Sequence, residues 1–220
     1  MLHYRTGWQI RGIPDVYGET NLMHTKKMIR AVDAYVSNPA VVGLDKKRMH
    51  DMVEVHDLPE SFIRKDTTPF CGVSKQQKQL IEIASAFCIR TGFPGGEWFY
   101  DNFLEYTYQE TPESQPIWQL DKMCPTIMVS CLENILPDIM DFYNKYPEMK
   151  AVLRKKYPGV ADDKLQDAIY KRLQEFAPYT RARLTDPILI KVFDNFMELK
   201  EAEKLTDPYE QYYELLKTVS

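Results

Sequence analysis

Four cysteines in 220 residues, none of them in a CxxC pair, are too few and too scattered for a disulfide scaffold or a cysteine-built zinc cluster. Cys88 and Cys124 fall inside helical apolar patterns, so buried free thiols are expected. Positive charge is not in surplus either: 28 Lys and Arg against 32 Asp and Glu leave a net charge of −4. Wrapping a nucleic acid needs clustered Lys and Arg to neutralise phosphates, so no nucleic-acid partner is expected. No stretch of about 18 apolar residues offers a membrane span. The opening MLHYRTGWQIRGIPD lacks the uninterrupted apolar core of a secretory signal. The expectation is a cytoplasmic protein with no membrane partner. Period-two alternation is missing as well, which leaves no convincing strand, and there are no repeats or low-complexity tracts.

What fills the chain is helical periodicity, and the expected fold class is all-α. Apolar spacing predicts a helix over 20–36 with His24, Met28, Ala31 and Tyr35 on one stripe, stopping near Ser37-Asn38-Pro39. A second helix starts near Leu44 and lines up Met49, Met52, Val53, His56 and Glu60, with a kink or an end near Pro59. Ser74 is a candidate N-cap for a helix whose core face is Leu80, Ala84, Phe87 and Cys88 and which ends at Gly92. The aromatic-rich segment EWFYDNFLEYTYQ reads as a helix whose rings serve packing or a subunit contact. The next helix carries Ile117, Leu120, Asp121, Cys124 and Met128, with a bend expected at Pro125. Further helices are predicted around 136–156, 161–176 and 187–203, separated by YPGV and PYTRARLTDP, with a last short one in DPYEQYYELLK. They read as additions to a helical core within one domain over 1–220.

His24, His56 and Asp121 each interrupt the buried stripe of a separate helix, and Asp57 adjoins His56. A lone histidine on an apolar face is usually a satisfied core residue. Two imidazoles and two carboxylates facing inward are different, because buried acids need compensating positive charge. The stripe of the second helix offers no Lys or Arg. A divalent cation fits the donor set, which suits Mn, Fe, Co, Ni or Zn. Residue types alone leave the metal site and the satisfied core equally open.

The pattern of His24, His56-Asp57 and Asp121 on three helices resembles the signature of the HD-domain metal phosphohydrolases. RTGWQIRG followed by ETNLMH resembles the segment that opens the 5'-deoxynucleotidase branch of that superfamily, HDLPE its HDxxE, and ESQPIWQLDK the stretch that delivers its last aspartate. The resemblance covers about residues 4–135 and leaves 136–220 as a helical extension. It departs from the branch at Met23, where an acid is frequent, and at Lys65-Asp66, which stands in place of a GD pair. The resemblance implies an HD-type helical bundle holding one divalent metal ion (Mn, Co, Fe, Ni or Zn) on His24, His56, Asp57 and Asp121. It implies a small-molecule nucleotide substrate, release of orthophosphate from deoxyribonucleoside 5'-monophosphates, and a homodimer. Glu60 and Asp57 are then the catalytic carboxylates. Glu60 follows His56 by four residues and Asp57 by three, offsets that share a helix face and suit proton exchange with water or the leaving 5'-oxygen. Arg5 or Arg11 is the candidate fork for the phosphate, Trp8 the candidate wall against the sugar, and Asp66, with Lys65 and Thr68, the candidate rim. Two alternatives stay open: an HD-type hydrolase of deoxynucleoside triphosphates or other phosphate esters, and a non-catalytic, metal-containing binding protein.

Overall fold

The computed structural model of the protein describes residues 4–63 and 74–220. Among these residues the regular structure is helical, apart from one isolated bridge between Tyr4 and Thr20. The short α1 (Thr6–Ile10) is closed by Gly12, whose φ of +83° is available to glycine without strain. A Cβ at Gly12 would also meet Leu153 Cδ1 at 2.6 Å. The turn is fastened from outside: the Tyr157 hydroxyl donates to the Arg11 carbonyl at 2.6 Å and the Tyr143 hydroxyl to the Gly12 carbonyl at 2.9 Å.

Helix α2 (Asn21–Val36) starts at Thr20, whose hydroxyl accepts the Met23 N–H, and buries His24, Met28, Ala31 and Tyr35 as the periodicity predicts. Helix α3 (Lys46–Val55) is capped by Asp45 and stops at His56. The chain turns at Asp57 and restarts as α4 (Leu58–Ile63), with Pro59 in the first turn, where its missing N–H costs nothing. The break expected near Pro59 therefore falls between His56 and Leu58. Helix α5 (Lys75–Gly92) opens on a capping box formed by Ser74 and Gln77, then packs on α6 (Gly96–Tyr108). Helix α7 (Ser114–Asn134), with Pro125 inside it, buries Ile117, Leu120, Met123, Cys124 and Ile127, and touches α2, α3 and α6.

The stretch predicted over 136–156 is two helices, α8 (Leu136–Lys145) and α9 (Pro147–Lys156), because Pro147 occupies a first helical position and cannot continue the preceding turn. They are followed by α10 (Leu165–Gln174), α11 (Phe176–Arg181), α12 (Pro187–Glu201) and α13 (Pro208–Thr218). Part of PYTRARLTDP, read from sequence as a separator, is helical: Pro178 to Arg181 belong to α11. Helices α12 and α13 share one apolar core with α2, α3 and α7. A second core joins Trp8 and Ile13 to the end of α7 and to α8, α9 and α10.

One predicted face is reversed. Leu80 and Phe87 are 68% and 51% exposed, and Ala84 and Cys88 also face outward, so Cys88 is not the buried thiol expected of it. Helix α5 is apolar on two sides, and α4 and α6 cover the side carrying Ala86, Ile83 and Ile89. Cys124 is buried as expected, and Cys71 lies outside the described residues. No helix among the described residues is long and apolar enough to cross a membrane.

Candidate metal centre

The N-terminal strand-like segment runs beside the start of α2, where the Arg5 N–H donates to the Glu19 carbonyl at 3.0 Å next to the Tyr4–Thr20 bridge. That pairing brings the Arg5 side chain over the first turn of α2. His24 enters from that turn, His56 from the end of α3, Asp57 from the break after it, and Asp121 from the middle of α7. His24 Nε2 lies 3.0 Å from Asp121 Oδ1 and 3.9 Å from Asp57 Oδ2. His56 Nε2 lies 3.4 Å from Asp57 Oδ2 and 3.9 Å from Asp121 Oδ1. One ligand atom each from His24, His56 and Asp57 fall within 4.8 Å of one another. Side chains up to 97 positions apart thus converge on one buried spot.

Contrary to the expectation from sequence, the buried acids do not lack protein cations. Two cations reach the carboxylates, one from the N-terminal segment and one from the position after Asp121 on α7: Arg5 Nη1 is 3.2 Å from Asp57 Oδ2, and Lys122 Nζ is 2.5 Å from Asp121 Oδ2. The Tyr106 hydroxyl also donates to Asp121 Oδ2, at 3.0 Å. The two acids are therefore balanced by protein charges. What points to a metal is the geometry of the lone pairs. His56 Nδ1–H donates to the Val53 carbonyl at 2.7 Å, which leaves Nε2 as a bare acceptor. That nitrogen is buried, has no hydrogen-bond partner among the described residues, and faces two carboxylate oxygens that are acceptors as well. Of these three acceptors only His56 Nε2 lacks a donor among the described residues, since Asp57 Oδ2 accepts from Arg5 and Asp121 Oδ1 lies 3.0 Å from His24 Nε2. One such unsatisfied group costs about 1–3 kcal/mol. A divalent cation between them removes that cost, and two imidazoles with two carboxylates are a suitable donor set.

Burial holds the His56 imidazole below its ordinary pKa despite Asp57 and Asp121, so it is neutral and competent as a ligand. Burial pulls His24 the same way, as does Arg5, but hydrogen bonds to Asp121 and Glu19 win and raise it. Burial would raise Asp57, yet His56, Arg5 and His24 bring it down to about 2. Asp121 is likewise held well below the usual carboxylate range, against burial, by Lys122 and His24. Behind the ring sits Glu19, with Oε2 3.6 Å from His24 Nδ1 and Oε1 2.8 Å from Lys27 Nζ. Burial opposes its ionisation, but His24, Lys27 and Arg5 lower it to about 2.

Compared with known protein families, the chain matches the HD domain over residues 3–160. The chain belongs to the HD-domain family. That membership makes it a metal-dependent phosphohydrolase by family. A comparison with curated proteins finds no match. The family match runs past residue 135 and includes α8 and α9.

In this HD domain three members of the ring, His56, Asp57 and Asp121, line a cavity of about 720 Å³. Glu60 is buried at its wall, where Lys78 Nζ donates to Oε1 at 2.8 Å and is also 3.2 Å from Glu82. Glu60 reaches that wall through the turn into α4, not along one continuous helix face. Arg5 lines the cavity against Asp57, whereas the Arg11 guanidinium bonds the Arg172 and Gly7 carbonyls, lies 3.8 Å from Glu175 and sits 4.0 Å from the centre of the Phe176 ring. Of the two arginines, Arg5 is the one beside the ring. Trp8 is buried, lines the cavity and packs on Phe176 with ring centres 5.2 Å apart. Asp66, Lys65 and Thr68 lie outside the described residues.

Sequence reasoning missed Lys78, Tyr106 and Lys122, and quoted Glu19 only as part of a motif. The signal for Glu19 was available, since an acid five residues before His24 begins ETNLMH; Tyr106 was read only as packing because its hydroxyl partner is 15 residues away on another helix.

Proposed function

We propose that this HD phosphohydrolase removes the 5'-phosphate from deoxyribonucleoside monophosphates. The observation that carries the reading is the bare His56 Nε2 beside Asp57 and Asp121, all three at the wall of a nucleotide-sized cavity that Arg5 and Glu60 also line, with the His24 imidazole buried behind them. His24, His56, Asp57 and Asp121 would hold one divalent cation, with Mn, Fe, Co, Ni and Zn as candidates. When bound, the cation supplies Lewis acidity toward a phosphoryl oxygen and lowers the pKa of water.

The remaining steps belong to the chain. Tyr106 and Lys122 fix Asp121 by occupying its Oδ2, which leaves Oδ1 for the ring. Arg5 offers a planar fork to the phosphate oxygens beside Asp57, a match that lysine does not reproduce. Glu60, held by Lys78, takes the proton of the attacking water or returns one to the leaving 5'-oxygen. Trp8, fixed between the second core and Phe176, is an immobile wall that limits bulk at the sugar and disfavours a 2'-hydroxyl.

The test strips the purified protein of metal, restores Mn²⁺ or Co²⁺, and follows phosphate release from deoxy- and ribonucleoside monophosphates. Orthophosphate from the deoxy series, well above the ribo series, is the expected result. No turnover of any monophosphate with any metal removes the reading, and release of triphosphate from deoxynucleoside triphosphates transfers the site to that substrate class.

A further inference from the structure

Residues beyond 160 lie outside the family match, yet they close one side of the cavity. The contributing side chains are Phe176 and Tyr179 of α11 and Arg183 of the turn after it. This wall is locked onto α7 close to Asp121. The buried Thr180 hydroxyl donates to the Lys122 carbonyl at 2.8 Å and lies 2.9 Å from the Thr126 hydroxyl. One turn earlier on α7, Gln119 Oε1 accepts the N–H groups of Thr185 and Asp186 at 2.7 and 2.9 Å. Phe176 itself is held between Trp8 and the Arg11 guanidinium.

Arg183 differs from the other cations of the cavity. Arg5, Arg11, Lys78 and Lys122 each have a carboxylate within 4 Å. Among the described residues Arg183 has none. Its guanidinium lies over the Tyr179 ring, 3.4 Å from the centroid, and Nη1 donates to the Tyr179 carbonyl at 2.8 Å. The half-buried guanidinium is thus fixed in place by its own neighbour while most of its five N–H donors have no acceptor among the described residues. A planar cation backed by an aromatic ring is a surface for another flat group rich in acceptors: nucleobases stack on guanidinium planes and accept from their edges.

We propose that Arg183, backed by Tyr179, is the subsite for the nucleobase of the substrate, so that the C-terminal extension selects what the HD core hydrolyses. The proposal rests on the nucleotide reading above for its choice of substrate. The experiment compares wild-type protein with Arg183→Ala and Arg183→Lys on deoxynucleoside monophosphates and on deoxyribose 5-phosphate, which carries no base. Arg183→Ala is expected to raise KM for the nucleotides at least about tenfold, the scale of one lost base–side-chain stack, with kcat little changed. Constants for deoxyribose 5-phosphate should stay as they are, and Lys should rescue only in part.

Equal losses on the base-free ester overturn the proposal and assign Arg183 to the phosphate. An unchanged KM with a lowered melting temperature overturns it too, because Arg183 then only closes the end of α11. An effect confined to nucleoside di- and triphosphates overturns it in favour of a second phosphate site. Calorimetric titration of deoxynucleosides, which have no phosphate, reads the subsite without turnover. Binding that Arg183→Ala weakens at least about tenfold supports the subsite even if no monophosphate is hydrolysed. Hydrolysis with no base-dependent effect of the variant sinks the subsite and leaves the nucleotidase reading intact.

Discussion

On the side of the cavity backed by α2, α3 and α7, each carboxylate lies within 4 Å of both imidazoles, with Lys122 and the Tyr106 hydroxyl fastening the other oxygen of Asp121 and Arg5 pairing with the Asp57 oxygen that faces the imidazoles. On the side formed by α11, an arginine lies over a tyrosine ring and, among the described residues, pairs with no acid. The first wall is charge-dense, buried and within the family match; the second is aromatic, half-buried and outside it. The difference separates two tasks: a rigid, polar wall suits chemistry that stays the same, whereas a wall of rings and donors suits recognition that varies.

The sharpest way to break the comparison is to remove a ring member. His56→Ala is expected to abolish bound metal and turnover together, as read by elemental analysis and phosphate release, because the neighbouring His24 already supplies its own corner of the ring and cannot fill both. If metal content stays at wild-type level, the first wall is not a metal site. Next in size, Glu60→Gln keeps the metal and lowers kcat by about 10²–10⁴, the scale of a lost general acid or base. Unchanged kcat would reassign Glu60 to structure alone. Tyr106→Phe should weaken metal affinity by about 10–100-fold, as loss of an outer-shell partner does, while leaving KM for the metal-loaded enzyme nearly unchanged. A change in KM alone would place Tyr106 with the recognising wall.

The smallest effect concerns how α1, which carries Trp8, is held. Burial, with Tyr157 and Asp15 adding to it, pushes the Tyr143 hydroxyl up to about 12. The contribution of this raised group is fully present below the ordinary tyrosine value near pH 10 and is lost as pH climbs toward 12. Tyr143→Phe removes the bond to the Gly12 carbonyl, costs about 1 kcal/mol near neutrality and flattens that alkaline decline in melting temperature. An identical alkaline limb in the variant would place the titration elsewhere.

Much of the first wall was legible. Helices α2 and α3 have one apolar stripe each, so their periodicity identifies the buried face, and His24 and His56 stand out as interruptions of it. Asp121 stands out the same way on α7. Where a helix is apolar on two sides, as α5 is, periodicity offers two answers and only the neighbours decide; Leu80 and Phe87 ended outside. Arg5 was invisible as a partner of the ring because nothing local marks a cation that will meet an acid 52 positions away, whereas Lys122, next to Asp121 on α7, stood in plain view.

The chain's own periodicity, caps and breaks determined the helices, the three segments that deliver the ring residues, and the absence of any convincing strand pattern. Those signals act between residues a few positions apart, which is as far as helical geometry reaches. Tertiary packing alone decided that His24 meets Asp121, that Arg5 reaches Asp57, and that α11 closes the cavity with Arg183. Each of those contacts joins positions whose separation carries no local preference, so only burial of the shared core brings them together.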